Sequence, residues 1–399
     1  MTSPVTSALS EPTYRRLFAA QVVALLGTGL LTVALSLLAF DVAPTRAGEV
    51  LATAFTVKMV AYVAVAPLVT AVTSRWNPRA VMVGADAVRF AVALALPWVD
   101  QAWHVYVLIA VLQSASATFT PTFQAVIPVV LTSERQYTHG LSLSRLAYDL
   151  EAVLSPMIAA GLLLVMSYHG LFVGTASGFV LSAVLVLRSG LSAPGAPSGA
   201  LFWSRATAGV AMFRSRRSLR TLFLLDLAAA CAVATVLVGT VVVVREDLGR
   251  GPASVAVALA AFGAGSMVVA LMTPRWLEHH TDLTSMLVGG GLCALLLIVA
   301  VPVVGDRGSW PVLLVVWCAL GAASSMVLTP SGRIVNAAVS VAERPAAFAA
   351  HFSLSHACYL VAYPVAGWLG GLTSVAAATG VLGAAAALAT GAAIVIRPR

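Results

Sequence analysis

Along most of the chain, apolar residues run in blocks of about twenty, and polar residues gather in the breaks between them. A helix needs about 20 apolar residues to cross the hydrocarbon core of a bilayer. Blocks bounded by Pro, Gly and charge predict twelve spans, at 15–41, 48–72, 80–98, 104–130, 138–166, 171–188, 219–244, 252–272, 283–304, 310–332, 346–367 and 373–396. The fourth, fifth and tenth contain proline or charge and are the least regular. The longest break, 189–218, opens as SGLSAPGAPSGALF and turns into the basic stretch WSRATAGVAMFRSRRSLR. That stretch fits an interfacial helix, with Trp203, Val210 and Phe213 toward lipid and arginines toward head groups. The expected organisation is a six-helix bundle over 1–188, a cytoplasmic linker over 189–218 and a second six-helix bundle over 219–399. The fold class is therefore an all-α membrane protein with twelve transmembrane helices in two pseudo-symmetric bundles.

Composition narrows the function. Hydrophobic residues make up 60% of the 399, and charged residues 10%, where soluble domains carry about 25% charge. A soluble enzyme, a disordered chain and a secreted disulfide scaffold are excluded. The formal net charge is +8. The basic residues sit in breaks between apolar blocks, where they act as orientation signals rather than as a nucleic-acid footprint. With the N-terminus inside, the cytoplasmic set is Arg15, Arg16, Arg75, Arg79, Arg135, Arg188, Arg205, Arg214, Arg216, Arg217, Arg220, Arg275, Arg344, Arg397 and Arg399. The outside set is Arg46, Arg245, Arg250 and Arg307. This asymmetry places both termini in the cytoplasm. Of 23 basic residues only Lys58 is lysine, which suits a high-GC bacterial genome and an inner-membrane location. Cys231, Cys293, Cys318 and Cys358 lie inside apolar blocks with no CxxC spacing, so neither a disulfide framework nor a zinc site is expected. No cleavable signal peptide is expected ahead of the first span.

The halves echo one another. Thr73 to Trp76 (TSRW) recurs at Thr273 to Trp276 (TPRW). Thr120-Pro121 recurs at Thr329-Pro330, Glu134-Arg135 at Glu343-Arg344, and Pro156 at Pro364. A parallel duplication of this kind places a substrate cavity between repeats near the bilayer midplane.

On these residues the chain resembles the major facilitator superfamily. TAVTSRWNPRAV after the second span is similar to that family's cytoplasmic loop motif, with Arg75 and Arg79 at its basic positions. Thr70, Ser74 and Asn77 stand where Gly, Asp and Gly are usual. Asp86 and Arg89 in the third span are candidates to replace part of the missing charge clamp. LEAVLSPMIAAGLL in the fifth span resembles the antiporter motif, with Pro156 kept and Ser155, Ala159 and Ala160 as its small residues. The resemblance implies secondary transport by alternating access, and its antiporter element implies export, with the drug and siderophore efflux group the nearest branch. LSLSRLAYDLEAVLSP also resembles bacterial nickel-resistance permeases, which makes nickel or cobalt an alternative cargo.

Charges inside spans supply the candidate chemistry, since each costs about 2.5–3.5 kcal/mol at the bilayer centre unless it faces protein or water. Lys58 either binds an anionic substrate group, pairs with a fifth-span acid or forms a fixed structural ion pair. Arg145 and Asp149 are i and i+4 and share a helix face, while Glu151 faces elsewhere. One of these acids is a candidate proton carrier, and a locked structural network is the alternative. Arg75, Arg79, Asp86, Arg89, Arg275 and Arg333 are candidates for a cytoplasmic gate. Asp226 is expected to pair with Arg217 or Arg220. His351, His356 and Tyr359 in the eleventh span are candidates for a proton relay or an aromatic substrate wall, with metal ligation or plain packing as the other readings.

The leading expectation is a proton-coupled exporter, acting as a monomer on a small molecule and protons within the lipid bilayer, with no cofactor and no nucleic-acid partner. No GxSxG, HExxH or Walker A motif is present, so no enzymatic activity is expected. A non-transporting receptor or scaffold of the same fold is the remaining alternative.

Overall fold

Backbone polar groups in lipid must be satisfied within the chain, and the apolar blocks are accordingly helical. The computed structural model describes residues 8–65, 76–191, 210–277, 279–305, 309–340 and 343–398. Twelve long helices follow one another among them. In the first half these are α1 (Pro12–Val42), α2 (Ala47–Val60), α3 (Pro78–Ala95), α4 (Ala102–Val130), α5 (Glu134–Leu162) and α6 (Tyr168–Leu187). In the second half they are α7 (Arg217–Val242), α8 (Pro252–Trp276), α9 (Asp282–Val303), α10 (Trp310–Ala338), α11 (Arg344–Pro364) and α12 (Val375–Ile396). Among the described residues 10 helices are long and apolar enough to cross a membrane. The other two are the polar ones: α5 carries Glu134, Arg135, Arg145, Asp149 and Glu151, and α11 carries His351 and His356.

Hydroxyls along the helices stay compatible with lipid by donating to the carbonyl one turn back, as Thr28 does to Ala24, Thr32 to Thr28 and Thr118 to Ser114. Prolines shape the ends. α10 turns at Thr329-Pro330, and α11 passes at Pro364 into a wide π turn, Val365–Leu369, a common consequence of a lost backbone donor.

Two compact units emerge. One comprises residues 1–38 and 60–200, the other residues 39–59 and 201–399. The first is built round Tyr14, Leu17, Met82, Phe119, Phe123, Ile127 and Leu143, and the Tyr14 hydroxyl donates to Gly140 O at 2.8 Å. Within it Gly29 meets α5, where a Cβ would collide with Ser155. The second unit is built round Leu219, Leu222, Leu225, Met286, Val327, Val335 and Ala393. There Trp317 Nε1 donates to Thr240 Oγ1 at 2.7 Å, joining α10 to α7. The repeat seen in the sequence recurs in the packing: α3 packs on α4 and α6, and α9 packs on α10 and α12. Each of these third helices begins at a side-chain cap, Asn77 accepting from Arg79 N and Thr281 accepting from Thr284 N.

The linker departs from expectation. Residues 210–215 are helical, but Phe213 is buried, packing into the second core and stacking on His351 at 6.2 Å. Apolar periodicity marks a face without naming what covers it, and here protein rather than lipid does so. Val210 is exposed, and Trp203 lies outside the described residues. Just beyond, Arg216 Nη2 donates to Glu343 Oε1 at 2.6 Å, and Ser340 donates to Glu343 Oε2 through its backbone N–H and its hydroxyl, each at 2.9 Å. The Ser340 backbone N–H first, and then Arg216 and the Ser340 hydroxyl, hold the Glu343 carboxyl down at about 2. Because this value is depressed, the tie is complete above the ordinary carboxylate range and is lost as pH falls through it toward 2. Hydrogen exchange of 338–340 is expected to be unchanged between pH 8 and 5 after correction for intrinsic rates. Glu343→Gln should raise it at both values; equal exchange in variant and parent would refute the tie.

Candidate functional site

In the first unit, polar side chains converge on a point deep in the bundle. Arg89 lies eleven residues into α3, about 16 Å along the axis from its start, which is mid-depth for a core about 30 Å thick. It is 4% exposed, and its Nη2 donates to Asp86 Oδ1, one helical turn back. Ser182 of α6 donates to the other Asp86 oxygen at 2.8 Å. The guanidinium is sandwiched between the rings of Phe119 and Phe179, at 4.5 and 4.6 Å from their centroids, a favourable seat for a desolvated cation. Beside it lies a cavity of about 40 Å³, lined also by Gln21 and Thr28 of α1, Tyr62, Ser116 and Thr120 of α4, and Tyr148 of α5. Three atoms here, Arg89 Nε, Gln21 Oε1 and Ser116 Oγ, are buried without a hydrogen-bond partner among the described residues. Buried polar atoms are nearly always paired, so such a set is suited to receive polar atoms from outside.

Asp86 and Arg89, candidates for a cytoplasmic gate on sequence, sit eight and eleven residues into α3, where Arg89 lines this pocket and Asp86 pairs with it. Gln21, Tyr62, Ser116 and Tyr148 were not singled out from sequence, because single polar residues on apolar helices carry no spacing signal. Glu151 is half-buried, reaching the α1 surface at Gly29, and lies within electrostatic range of Tyr62. Expectations for Arg75 and for the side chains of Arg145, Asp149 and Arg275 lie outside the described residues.

The remaining gate candidates sit at helix ends. Arg79 donates to Leu187 O, and Arg16 donates to Arg188 O at 2.8 Å, so two arginines cap the C-terminus of α6. Arg333 pairs with Asp282 at 2.9 Å.

The second unit holds a histidine–carboxylate pair whose carboxylate is buried. His351 Nε2 of α11 and Asp226 Oδ2 of α7 are 3.0 Å apart. The expected pairing of Asp226 with Arg217 or Arg220 is thus replaced, since helix periodicity could not reveal a partner 125 residues away. His356 Nδ1 is 2.7 Å from Phe352 O, and Cys358 Sγ donates to Phe223 O. Among the described residues no group of three or more His, Cys, Asp or Glu side chains is placed to hold a metal ion. Tyr359 stacks on Tyr363 at 5.6 Å, and Lys58, half-buried in α2, lies within electrostatic range of His356.

A second cavity, of about 600 Å³, lies at the opposite ends of α7 and α11. It is lined by Arg46, Glu49, Glu246, Asp247, Ser374 and the glycines 48, 367 and 371, among others. Here α2 and α11 approach closely, because a Cβ on Gly367 would meet Ala52 and the Gly48 carbonyl. Trp368 Nε1 donates to Thr53 Oγ1 at 2.8 Å, and Phe55 packs on Tyr363 at 5.0 Å.

A search of curated proteins finds no match. Among solved structures, the chain is similar in fold to a POT family transporter in complex with 5-aminolevulinic acid, at TM-score 0.74, 13% identity and 96% coverage of both chains. It is also similar to a peptide transporter POT in complex with sulfate, at TM-score 0.73 and 13% identity, over 99% of this chain and 98% of that one. A mutant of the nucleoside transporter NupG gives TM-score 0.72 and 14% identity, over 96% and 99%. None of these likenesses singles out an efflux branch or bears on the nickel-permease resemblance. The model of the Major Facilitator Superfamily matches residues 17–303 and 223–399, and the chain belongs to that superfamily as a multi-pass membrane transporter.

Proposed function

We propose that this chain is a proton-coupled secondary transporter that exports a small molecule across a bacterial inner membrane by alternating access, with both termini in the cytoplasm and the monomer as the working unit. The observation that carries the reading is the mid-helix pocket lined by Arg89, Gln21, Tyr62, Ser116 and Tyr148, in which Arg89 Nε, Gln21 Oε1 and Ser116 Oγ have no hydrogen-bond partner among the described residues and can receive a substrate's polar group. The excess of arginine in one set of breaks supports the orientation. Export is supported by the fifth-span motif: Ser155 and Glu151 press against Gly29 of α1, as a close-packed helix crossing at that motif requires. Glu151, Asp149 and Lys58 remain candidates for charge movement during the cycle, and Arg75, Arg79, Arg275 and Arg333 for its cytoplasmic gate.

The experiment is flux in proteoliposomes under an imposed pH gradient, with ethidium, a hydroxamate siderophore and Ni²⁺ as parallel probes. Gradient-dependent flux of an organic probe is expected, falling at least tenfold in Arg89→Gln. Flux that is identical in Arg89→Gln, or confined to Ni²⁺, would contradict the assignment.

A further inference from the structure

We propose that the His351–Asp226 pair is the proton-binding site of the transport cycle, and that its protonation draws α7 and α11 together. This deepens the proton-coupled reading and rests on it. The two residues reach each other across packed helices, Asp226 nine residues into α7 and His351 seven residues into α11, about 13 and 10 Å along their axes. The Asp226 side chain is 2% exposed and that of His351 16%, so the carboxylate is sealed while the imidazole keeps an edge open. Phe213 stacks over the ring with an interplanar angle of 7°. Asp226 Oδ1 is buried with no hydrogen-bond partner among the described residues.

The charge balance gives the site its function. A neutral imidazole with its proton on Nε2 donates to Asp226 and leaves Nδ1 open. In that form the pair carries one net negative charge inside the membrane, half of it on an unsatisfied oxygen, an arrangement that favours separation and wetting. A second proton, taken from water at Nδ1, makes an imidazolium–carboxylate pair of zero net charge with a charge-assisted hydrogen bond. Histidine is the side chain that makes this exchange near neutral pH.

Other titratable or charged groups stand on the same elements. α7 also carries Arg217, Arg220 and Cys231, and α11 carries His356, Cys358, Tyr359 and Tyr363, with Lys58 of α2 within electrostatic range of His356. On the other helices packed against α7, Asp282 of α9 is engaged with Arg333 of α10, Cys293 of α9 lies 3.8 Å from Ser324 Oγ, α10 contributes Cys318, α8 carries Arg275, whose side chain lies outside the described residues, and α12 has no titratable side chain.

The test uses the full chain in lipid nanodiscs without added substrate. The readout is backbone hydrogen exchange in the wild type, Asp226→Asn and His351→Gln. Hydrogen exchange of 344–352 and 210–218, corrected for intrinsic rates, should be at least threefold slower at pH 5.5 than at pH 8, and the difference should vanish in His351→Gln. A wild type whose exchange in these two segments does not change with pH overturns the proposal even if the variants fold poorly. A pH-dependent difference that persists in His351→Gln also overturns it, while leaving proton coupling to another group. No pH dependence anywhere in the wild type would overturn both this site and the proton-coupled reading.

Discussion

Asp86→Ala is expected to be among the most damaging single substitutions, lowering stability by about 3–5 kcal/mol, the usual consequence of stripping one partner from a buried ion pair. Asp86 is fully buried, its oxygens taken by Arg89 and Ser182. Its removal leaves the guanidinium charged between Phe119 and Phe179 with no counter-ion in the pair. Geometry also predicts the rescue. Asp86→Val combined with Arg89→Met replaces the pair by apolar groups closer to the original volume and should recover most of the unfolding midpoint in detergent, without recovering transport. If Asp86→Ala unfolds at the wild-type midpoint, the pair is not the desolvated couple described here. If the double variant transports normally, Arg89 is structural and does not touch substrate.

The second large effect is expected where α8 crosses α10. Gly265 would drive a Cβ into the Cys318 carbonyl, and Gly321 would drive one into the Phe262 carbonyl, so each glycine admits the other helix's backbone. Small residues at such crossings let helices pack in lipid, where no hydrophobic force holds them together. Gly265→Val and Gly321→Val should each cost about 3 kcal/mol, the upper end for overpacking, because the obstacle is backbone and cannot rotate away. The double variant should cost less than the sum, since the first substitution already parts the helices. Thermal unfolding of the three variants checks this; wild-type midpoints would mean the helices do not approach so closely.

The ease of reading varied with the range of the interaction. Twelve apolar blocks announced twelve helices, because lipid demands length and apolarity from each helix separately. Asp86 and Arg89 were recognisable as an i, i+3 pair, one turn apart on one helix. Their phenylalanine sandwich was not, since Phe119 and Phe179 come from α4 and α6 and neither carries a local mark. The same limit explains Asp226, whose partner His351 is supplied by another helix, and Phe213, whose apolar face suits lipid and protein equally. Gln21, Ser116 and Tyr148 become notable only once three helices bring them to one cavity.

The central claim is exchange of protons for a small organic substrate, and internal pH in pyranine-loaded proteoliposomes tests it most directly. An organic probe that the protein transports is added outside, with no initial gradient. Exchange requires each substrate molecule that enters to release protons outward, so the interior should become alkaline, and the change should be absent from Asp226→Asn vesicles. Acidification on substrate entry, or substrate flux with no change in internal pH, would contradict the claim.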